Sequence, residues 1–323
     1  MISPHVNVTI DLTRIRDDAA ALAARVRVPV WATIKADAYG LGAAQVATTL
    51  ANVPGVVGFY VFTLDEATSI DLWNRTHKPA ITLGPPATLD PQTWLAAHVR
   101  PAVATTEQAA ALRDAHPVLC VDTGMQRFAC APDQIDRAIE AGGIDEAFTH
   151  ATRLEHVQRL RELCAGRGLK LHAAATALLD EPAACLDAVR PGLALYRGAV
   201  RVTTRLAEAH HSIGPIGYTA WTSETAHHGV IVAGYSNFLR PGPVLINGRR
   251  QHITEIGMQS AYLTLHPDDR AGDEVVLLGD GLTETDLAFA WNVTPHQALF
   301  TMASMGGREW IGRGETSDAR PSS

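Results

Sequence analysis

Residues 28–43 read VPVWATIKADAYGLGA, a mostly apolar run that ends in Lys35 and is followed by a glycine-rich turn. An apolar run bounded by turn residues is typical of a buried strand in a parallel sheet. The alanine-rich stretch 43–50 that comes next is typical of a helix. Together these segments predict a βα unit with Lys35 at the C-terminal end of its strand.

Lys35 itself has two interpretations. A buried amine loses the solvation of its charged form, so its pKa falls and it becomes a nucleophile able to form a Schiff base with a carbonyl compound. A lysine at a strand end can equally lay its stem along apolar surface and hold its ammonium in water. The spacing of the residues leaves both interpretations open.

The same alternation of strand and helix recurs over the first two thirds of the chain, after a strand-like alternation of apolar and polar residues at 6–12. Eight strands that alternate with helices predict an α/β fold, a (β/α)₈ TIM-type barrel. A doubly wound open sheet fits the same alternation. The eight apolar strand candidates lie at residues 28–34, 58–62, 80–83, 100–104, 118–121, 146–149, 169–173 and 189–195.

The pattern changes near residue 205. Short β-like runs take over, separated by turn signals such as Asn247-Gly248 and Asp280-Gly281. Regular short strands of this kind predict a small β domain. We therefore expect the barrel over residues 1–205 and a C-terminal β-rich domain over residues 206–323, with a loosely ordered polar tail after about Arg313.

The composition argues against several classes of protein. The net charge is −7 and the lysines and arginines are scattered, which argues against a nucleic-acid-binding surface. No apolar run approaches the roughly 18–20 residues of a membrane helix. The first residues have no basic region followed by an apolar core, so no secretory signal is expected. The four cysteines lack metal-type spacing and are typical of reduced thiols, which predicts no metal site and a cytoplasmic protein.

The segment IKADAYGLGA at residues 34–43 closely resembles the cofactor motif of the alanine racemase family. That family uses pyridoxal 5′-phosphate (PLP), and the resemblance extends over residues 6–312. It implies a barrel followed by a β domain. It also implies that Lys35 carries PLP and serves as one catalytic base, and that Tyr39 binds the cofactor phosphate.

A second segment, VRPGLALY at residues 189–196, resembles the stretch in which an arginine hydrogen-bonds the pyridine nitrogen of PLP. The resemblance implies this role for Arg190, and it implies that backbone N–H groups of Gly192 and Leu193 help to hold the phosphate. An arginine can only donate, so it leaves the ring nitrogen unprotonated. That state suits reprotonation at Cα better than transamination. Taken alone, Arg190 could be a surface arginine before a turn.

Racemisation needs a base on each face of the substrate Cα. Residues 216–222, IGYTAWT, resemble the segment that carries the second base of the family, which implies that role for Tyr218. A free tyrosine has a pKa of about 10 and is a poor base at neutral pH. In the family a histidine and the ring-binding arginine lower that pKa. Thr149-His150 resembles the motif of this histidine and implies a Tyr218–His150–Arg190 relay, although His150 could also be a buried histidine bonded to a backbone carbonyl.

Other segments resemble those that bind the substrate in the family. DTGMQR at residues 122–127 implies that Arg127 pairs with the substrate carboxylate, a role that suits its planar guanidinium. VAGY at residues 232–235 resembles the segment that carries an entryway tyrosine, which implies that Tyr235 lines the entrance. Met258 matches a position whose backbone N–H contacts the substrate carboxylate.

Four places depart from the family pattern. Cys120 replaces a lysine, carbamylated in many members, that supports the substrate-binding arginine, and Gln259 stands in the substrate site where aspartate is usual. His296 occupies the place of a phosphate-binding tyrosine. Ala175-Thr176 replaces Asn-Ser, although the Thr176 hydroxyl can still bind the phosphate. These departures leave the substrate open between alanine and a related amino acid.

These features predict a PLP-dependent racemase of a small α-amino acid that moves protons between two bases. The resemblance further implies a homodimer whose chains pack head to tail and share active sites. The alternative is a PLP-binding homologue of altered activity. PLP barrels that decarboxylate basic amino acids use a glycine-rich phosphate loop and a Cys-Asp pair in the second domain, which this sequence lacks. Known non-catalytic cofactor-binding proteins of this kind lack a second domain.

Overall fold

The computed structural model describes residues 3–312, which form two compact units. The α/β unit comprises residues 15–38 and 42–196. The β unit comprises residues 3–14, 39–41 and 197–312. The predicted tail after Arg313 lies outside the described residues.

The strands are β1 Ser3–Asp11, β2 Val30–Thr33, β3 Val56–Val61, β4 Ala80–Thr82, β5 Val99–Arg100, β6 Ala102–Val103, β7 Val118–Cys120, β8 Glu146–Ala151, β9 Lys170–Ala174, β10 Val200–His211, β11 His227–Ile231, β12 Gly242–Ile246, β13 Arg249–Ile256, β14 Ala261–Thr264, β15 Glu274–Leu278 and β16 Gly306–Ile311. The right-handed α-helices are Leu12–Val26, Ala43–Ala51, Leu64–Ser69, Leu72–Thr76, Pro91–Ala97, Thr106–Ala111, Ile135–Gly142, Leu154–Cys164, Glu284–Trp291 and Pro295–Ala303.

The α/β unit holds two parallel sheets. Strands β2 to β5 form one sheet and β6 to β9 form the other, with helices between successive strands. Only Pro101 separates β5 from β6, and a proline cannot donate a hydrogen bond to a neighbouring strand. Isolated parallel bridges join Val30 to Val189 and His172 to Ala188. The segment 188–189 therefore pairs with β2, at the edge of the first sheet, and with β9, at the edge of the second.

The predicted strands from 28–34 to 169–173 are confirmed, because each overlaps one or more of β2 to β9. The last candidate, 189–195, is wrong as a strand. Pro191 lacks a donor, and Gly192 has φ −126° and ψ −93°, which takes the chain out of the extended conformation. The chain then enters the short 3₁₀ helix Leu193–Leu195.

The β unit is built on an eight-stranded sheet with the strand order β11-β14-β13-β12-β15-β10-β1-β16. Because β11 also pairs with β10, six strands form a closed ring of paired neighbours: β11, β14, β13, β12, β15 and β10. Strand β1 pairs with β10 in antiparallel and with β16 in parallel orientation. Its residues Val6, Val8 and Ile10 are buried while those between them are more exposed, which confirms the half-buried strand predicted at 6–12.

The two compact units do not follow the order of the chain. Strand β1 belongs to the sheet of the β unit, and β10 runs across residue 205. The predicted domains, 1–205 and 206–323, divide the chain where its composition changes. Composition, however, does not indicate which distant segments pair as strands. The β unit also contains two helices, Glu284–Trp291 and Pro295–Ala303, each of which begins with a capping box.

Within residues 3–312, no helix has the length and apolar character needed to cross a membrane. In that same part of the chain, no three His, Cys, Asp or Glu side chains are grouped as a metal ion would need. The cysteines are free thiols, and burial raises the pKa of each one: Cys120, Cys130, Cys164 and Cys185.

Candidate active site

Lys35 follows strand β2 at its C-terminal end and lines a cleft of the α/β unit. Burial lowers the pKa of its amine, and the positive charges of Arg127 and Arg190 lower that pKa further, while Glu66 opposes them. His150 lines the same cleft. An amine in these surroundings loses its proton more readily than an ammonium held in water, which favours the nucleophilic interpretation of Lys35.

A left-handed turn begins immediately after Lys35. The conformation costs an L-residue other than glycine roughly 1–2 kcal/mol, so a run of such residues needs support from its surroundings. The Asp37 carbonyl accepts the N–H of Gly42 at 2.9 Å, and the Asp37 carboxylate accepts the N–H of Ala43 at 2.7 Å. The four residues of the turn have φ between 51° and 60°: Ala36, Asp37, Ala38 and Tyr39.

Glu66 supports the turn from another element, and sequence reasoning missed it. One carboxylate oxygen accepts the N–H of Ala36 at 2.9 Å, and the other accepts the N–H of Phe62 at 2.6 Å. Glu66 thus ties the residue after Lys35 to the end of β3. The available signal was the capping-box spacing from Thr63 to Glu66, and Thr63 does accept the N–H of Glu66 at 3.3 Å. That spacing does not predict the contact with Ala36.

Arg190 is a buried residue, with 4% of its surface exposed, so the interpretation as a surface arginine is wrong. Its guanidinium donates to the backbone carbonyl of Thr149 at 2.5 Å. The guanidinium carbon lies 5.1 Å from the ring centre of Tyr60 and 4.9 Å from that of Phe148. Arg190 is therefore a buried cation that lines the same cleft as Lys35.

The segment that follows Arg190 contacts Thr176. Gly192 precedes the short helix Leu193–Leu195, and the Thr176 hydroxyl accepts the N–H of Ala194 at 3.1 Å. Because Leu193 begins the helix, its N–H has no acceptor inside that helix. The hydroxyl of Thr176 and the N–H groups of Gly192 and Leu193 thus belong to one local arrangement.

Arg127 lies on an exposed loop at the rim of the cleft. The loop is shaped by Asp122, whose carboxylate accepts the N–H groups of Gly124 at 2.8 Å and Gln126 at 3.0 Å. In the described part of the chain, the Arg127 side chain has no hydrogen-bond or ion-pair partner, although its charge acts on Lys35. A guanidinium in this situation is available to an incoming anion.

The β unit holds the other predicted site residues in two groups. The rings of Tyr39 and His296 lie side by side, with their centres 5.8 Å apart. The second group is an exposed patch formed by Tyr218, Tyr235 and Met258, which expose 83%, 55% and 60% of their surface. Gln259, next in the chain to Met258, is also exposed.

Backbone contacts build this exposed patch. The N–H of Tyr235 donates to the carbonyl of Gly257 at 3.0 Å. Glu255 accepts the N–H of Tyr218 at 2.5 Å and so holds the turn that presents the phenol. Gly217 has φ +70°, and a Cβ there would lie 2.6 Å from the Glu255 carboxylate, so only glycine fits at this position.

Comparison with known proteins shows which family has this arrangement. The family described as "Alanine racemase, N-terminal domain" matches residues 10–200. The alanine racemase of Shigella dysenteriae is 30% identical to this chain, and the match covers 87% of this chain and 91% of that protein. The same figures hold for the biosynthetic alanine racemase of Escherichia coli. The chain belongs to the alanine racemase family.

Solved structures of alanine racemases share the fold. The enzyme from Bartonella henselae, a structure with covalently bound pyridoxal phosphate, superposes with a TM-score of 0.83 and 21% identity, over 96% of this chain and all 100% of the other. The biosynthetic alanine racemase of Pseudomonas aeruginosa gives a TM-score of 0.83 at 24% identity, over 96% and 100% of the two chains.

PLP is the cofactor of the alanine racemase family, and residues of the α/β unit fit it. The aldehyde of PLP needs an amine that can lose its proton, and the surroundings of Lys35 lower the pKa of its amine. The phosphate and the ring nitrogen need hydrogen-bond donors. Arg190 and the hydroxyl of Thr176 are of that type, and neither brings a negative charge that would repel the phosphate.

Cys120 is the departure from the family pattern with the clearest physical consequence. It lines the cleft and is 6% exposed. Burial raises the pKa of its thiol to about 12, so the side chain is neutral and cannot support Arg127 as a negatively charged carbamylated lysine would. Cys120 therefore gives Arg127 no negatively charged partner.

Proposed function

We propose that this chain is a PLP-dependent racemase of a small α-amino acid, alanine or a related one. The observation that carries the proposal is Lys35, an amine of lowered pKa that shares a cleft with Arg127 and Arg190 in a member of the alanine racemase family. Relatives named as alanine racemases make alanine the first substrate to test.

We infer that the two parallel sheets of the α/β unit close into a (β/α)₈ barrel. Two observations support this closure. The strands β5 and β6 are separated by a single proline, Pro101. The segment at Ala188 and Val189 pairs with β9 on one side and with β2 on the other. The site then lies at the C-terminal ends of the strands, as in other barrels, and the β unit serves as the second domain.

When bound, PLP supplies an electron-withdrawing ring that makes the Cα–H bond of an attached amino acid more acidic. In our proposal Lys35 holds the cofactor. Arg190 donates a hydrogen bond to its ring nitrogen and, because a guanidinium does not release its protons in a protein, leaves that nitrogen unprotonated. The phosphate is bound by hydroxyl, N–H and ring groups, which we assign to Tyr39, Thr176, Gly192, Leu193 and His296.

Two bases act on opposite faces of the substrate. In the proposed reaction the Lys35 amine exchanges a proton with one face of Cα, and the Tyr218 phenol exchanges a proton with the other. A phenol with a pKa of about 10 needs help to act as a base near neutral pH. Positive charge relayed from Arg190 through His150 favours the phenolate. The place of His150 next to Thr149, whose carbonyl binds Arg190, supports this relay.

Arg127 anchors the substrate carboxylate in this proposal. Its guanidinium offers two parallel N–H donors, which match the geometry of a carboxylate. In the dimer proposed below, the backbone N–H of Met258 and the side chain of Gln259 from a second copy of the chain complete the substrate site, and Tyr235 of that copy narrows its entrance. The lack of an internal partner for Arg127 in the described chain supports the assignment.

We propose further that two chains form a symmetric dimer with shared active sites. The support is the patch of Tyr218, Tyr235 and Met258, to which the exposed Phe238 adds an aromatic ring that is 57% exposed. Large apolar side chains collected on one surface mark contact sites. In a dimer this patch would face the cleft of a second copy, so that Tyr218 of one chain completes the site around Lys35 of the other.

We place the protein in the cytoplasm, as a soluble enzyme with an amino-acid substrate and with neither a nucleic-acid nor a membrane partner. The free thiols of the described residues support this location, because cysteines remain reduced in the cytoplasm.

Racemisation in deuterated water tests the proposal. The holoenzyme should convert L-alanine into D-alanine that carries deuterium at Cα, and a survey of amino acids then ranks the substrates. Lys35→Ala should abolish this exchange together with the borohydride-fixed label on the cofactor-bearing lysine. The control Lys170→Ala, at an exposed position on β9, should keep both. Label on another lysine, or release of carbon dioxide in place of exchange, would contradict the proposal.

A further inference from the structure

A chain of buried polar side chains adjoins the cleft inside the α/β unit, and the reaction proposed above makes no use of it. Tyr60 on β3, His172 on β9 and Glu146 on β8 are 0%, 2% and 5% exposed. Arg100 on β5 ends the chain through an ion pair with Glu146. The interior of a parallel barrel is normally filled by branched apolar side chains, so this polar chain needs a reason.

The hydrogen bonds run from Tyr60 through His172 to Glu146, and Arg100 donates to Glu146 from the other end. The Tyr60 hydroxyl lies 3.2 Å from Nδ1 of His172, and Nε2 of His172 lies 2.8 Å from Glu146. Burial raises the pKa of Tyr60, so the hydroxyl keeps its proton and donates to Nδ1. Burial also raises the pKa of Glu146, but His172 and Arg100 outweigh that effect and lower it to about 2. Nε2 of His172 therefore carries a proton and donates to a carboxylate.

The Tyr60 ring packs against the guanidinium of Arg190. The guanidinium carbon lies 5.1 Å from the ring centre of Tyr60 and 4.9 Å from the ring centre of Phe148. The two rings meet edge to face, with centres 5.6 Å apart. A desolvated guanidinium between aromatic faces is held by cation–π attraction, which depends on where the rings lie.

Stability alone does not account for this polar chain. A buried ion pair contributes little net stability compared with well-packed apolar residues of similar volume. Instead, these polar side chains fix one another's positions. With both ring nitrogens engaged, His172 has one tautomer and one orientation. The hydroxyl of Tyr60, and hence its ring, is then fixed in turn.

We propose that Tyr60 is a positioning residue for Arg190, and that His172 and Glu146 hold Tyr60 in place. This inference rests on the proposed function, in which Arg190 must keep donating to the ring nitrogen of PLP. If the guanidinium moves away, the nitrogen can gain a proton from water and the ring becomes a stronger electron sink. Transamination then competes with racemisation. This reaction would convert the amino acid and water into a keto acid, with the amino group and the Cα proton retained on the cofactor as pyridoxamine phosphate.

The test measures the ratio of keto-acid formation to racemisation in holoenzyme variants. Tyr60→Leu removes the ring, and we expect the ratio to rise by about tenfold or more while KM changes little, since tenfold corresponds to a modest cation–π energy. Tyr60→Phe keeps the ring but loses the hydroxyl, so its ratio should rise less. The control is Phe59→Leu, a fully buried ring on the opposite face of the same strand, which should keep the ratio of the wild type.

Crystal structures of the variants give a readout that does not depend on activity. We expect a displaced Arg190 guanidinium in Tyr60→Leu and an unmoved one in Phe59→Leu. An unmoved Arg190 and an unchanged ratio in Tyr60→Leu would overturn the inference. A Tyr60→Phe variant identical to the wild type would show that His172 and Glu146 are not needed to hold Tyr60 in place. If Tyr60→Leu does not fold, Tyr60→Met, which also removes the ring but fills the space with a flexible side chain, takes its place. A wild type that neither binds PLP nor racemises contradicts the proposed function, while the position of Arg190 still tests this inference.

Discussion

In our proposal, Arg127 is the residue whose substitution separates substrate binding from cofactor binding. Its guanidinium has no internal partner in the described residues, so its removal leaves no buried group unpaired. Arg127→Leu should raise KM for the amino acid by about 10- to 100-fold, because a charge-assisted hydrogen bond contributes roughly 1.5–3 kcal/mol to binding. PLP should remain bound, as measured by its visible absorbance. Arg161→Leu, at an exposed helix position, is the control, and an unchanged KM in Arg127→Leu would exclude Arg127 from the site.

Glu146 should make the protein sensitive to acid. Its pKa is about 2 in the folded chain against 4.5 as the ordinary value. Between these values the unfolded state binds more protons, so stability rises with pH and is lost as the pH falls, with a slope of up to about 1.4 kcal/mol per pH unit. Urea unfolding at a series of acidic pH values should give a flatter dependence for Glu146→Gln than for the wild type. The exposed control Glu155→Gln should retain the wild-type slope, and equal slopes for all three proteins would refute the linkage.

The chemistry of single residues could be predicted from the sequence, but their electrostatic surroundings could not. A lysine at the end of an apolar strand is compatible with a reactive amine as well as with a solvated one, and the lowered pKa of Lys35 favours the first. The causes of that shift lie on distant parts of the chain, at Arg127 and Arg190. The same holds for Tyr60 and His172, 112 residues apart, whose hydrogen bond exists only after the strands have assembled.

Among the elements, the left-handed turn after Lys35 makes the sharpest prediction. Ala36 has φ 53° and an exposed side chain, and its N–H is held by Glu66. Glycine adopts this conformation without the steric cost of a Cβ, so Ala36→Gly should raise the free energy of unfolding by up to about 1 kcal/mol. The matched control is Ala20→Gly in the middle of the helix Leu12–Val26, which should lower it by roughly 0.5–1 kcal/mol. Denaturant titration measures both, and a loss of stability in both variants would contradict the strain in this turn.

The sequence contains only a weak local signal for this turn, the single residue Asp37. Residues 36–39 include no glycine and no asparagine, the residues that usually mark a left-handed conformation. The turn depends instead on Glu66, which lies 30 residues away on another element. Strand prediction failed for a similar reason at residues 189–195, where apolar composition suggested a strand but Pro191 and Gly192 end it. Periodicity indicated most of the strands correctly, because burial on both faces requires apolar runs.

At the scale of the whole molecule, the order of segments along the chain and their grouping in space differ. Strand β1 joins the β unit although it precedes the α/β unit in the sequence. Family membership could be recognised from short motifs around Lys35, Arg190 and Arg127. The contribution of a second chain could not be derived from one sequence, because it concerns surfaces. The structural reason to expect a second chain is Tyr218, a base in our proposal, which is 83% exposed in a single chain.

Mixing two inactive variants tests the central claim, that Lys35 and Tyr218 act together in a site shared between chains. Lys35→Ala and Tyr218→Phe should each lack racemase activity. In a heterodimer with shared sites, one site carries both lesions and the other carries none. Full subunit exchange should therefore restore about a quarter of the wild-type activity, because half of the dimers are mixed and half of their sites are intact. If heterodimers confirmed by mass remain inactive, each site lies within one chain or Tyr218 is not the second base, and the account is wrong.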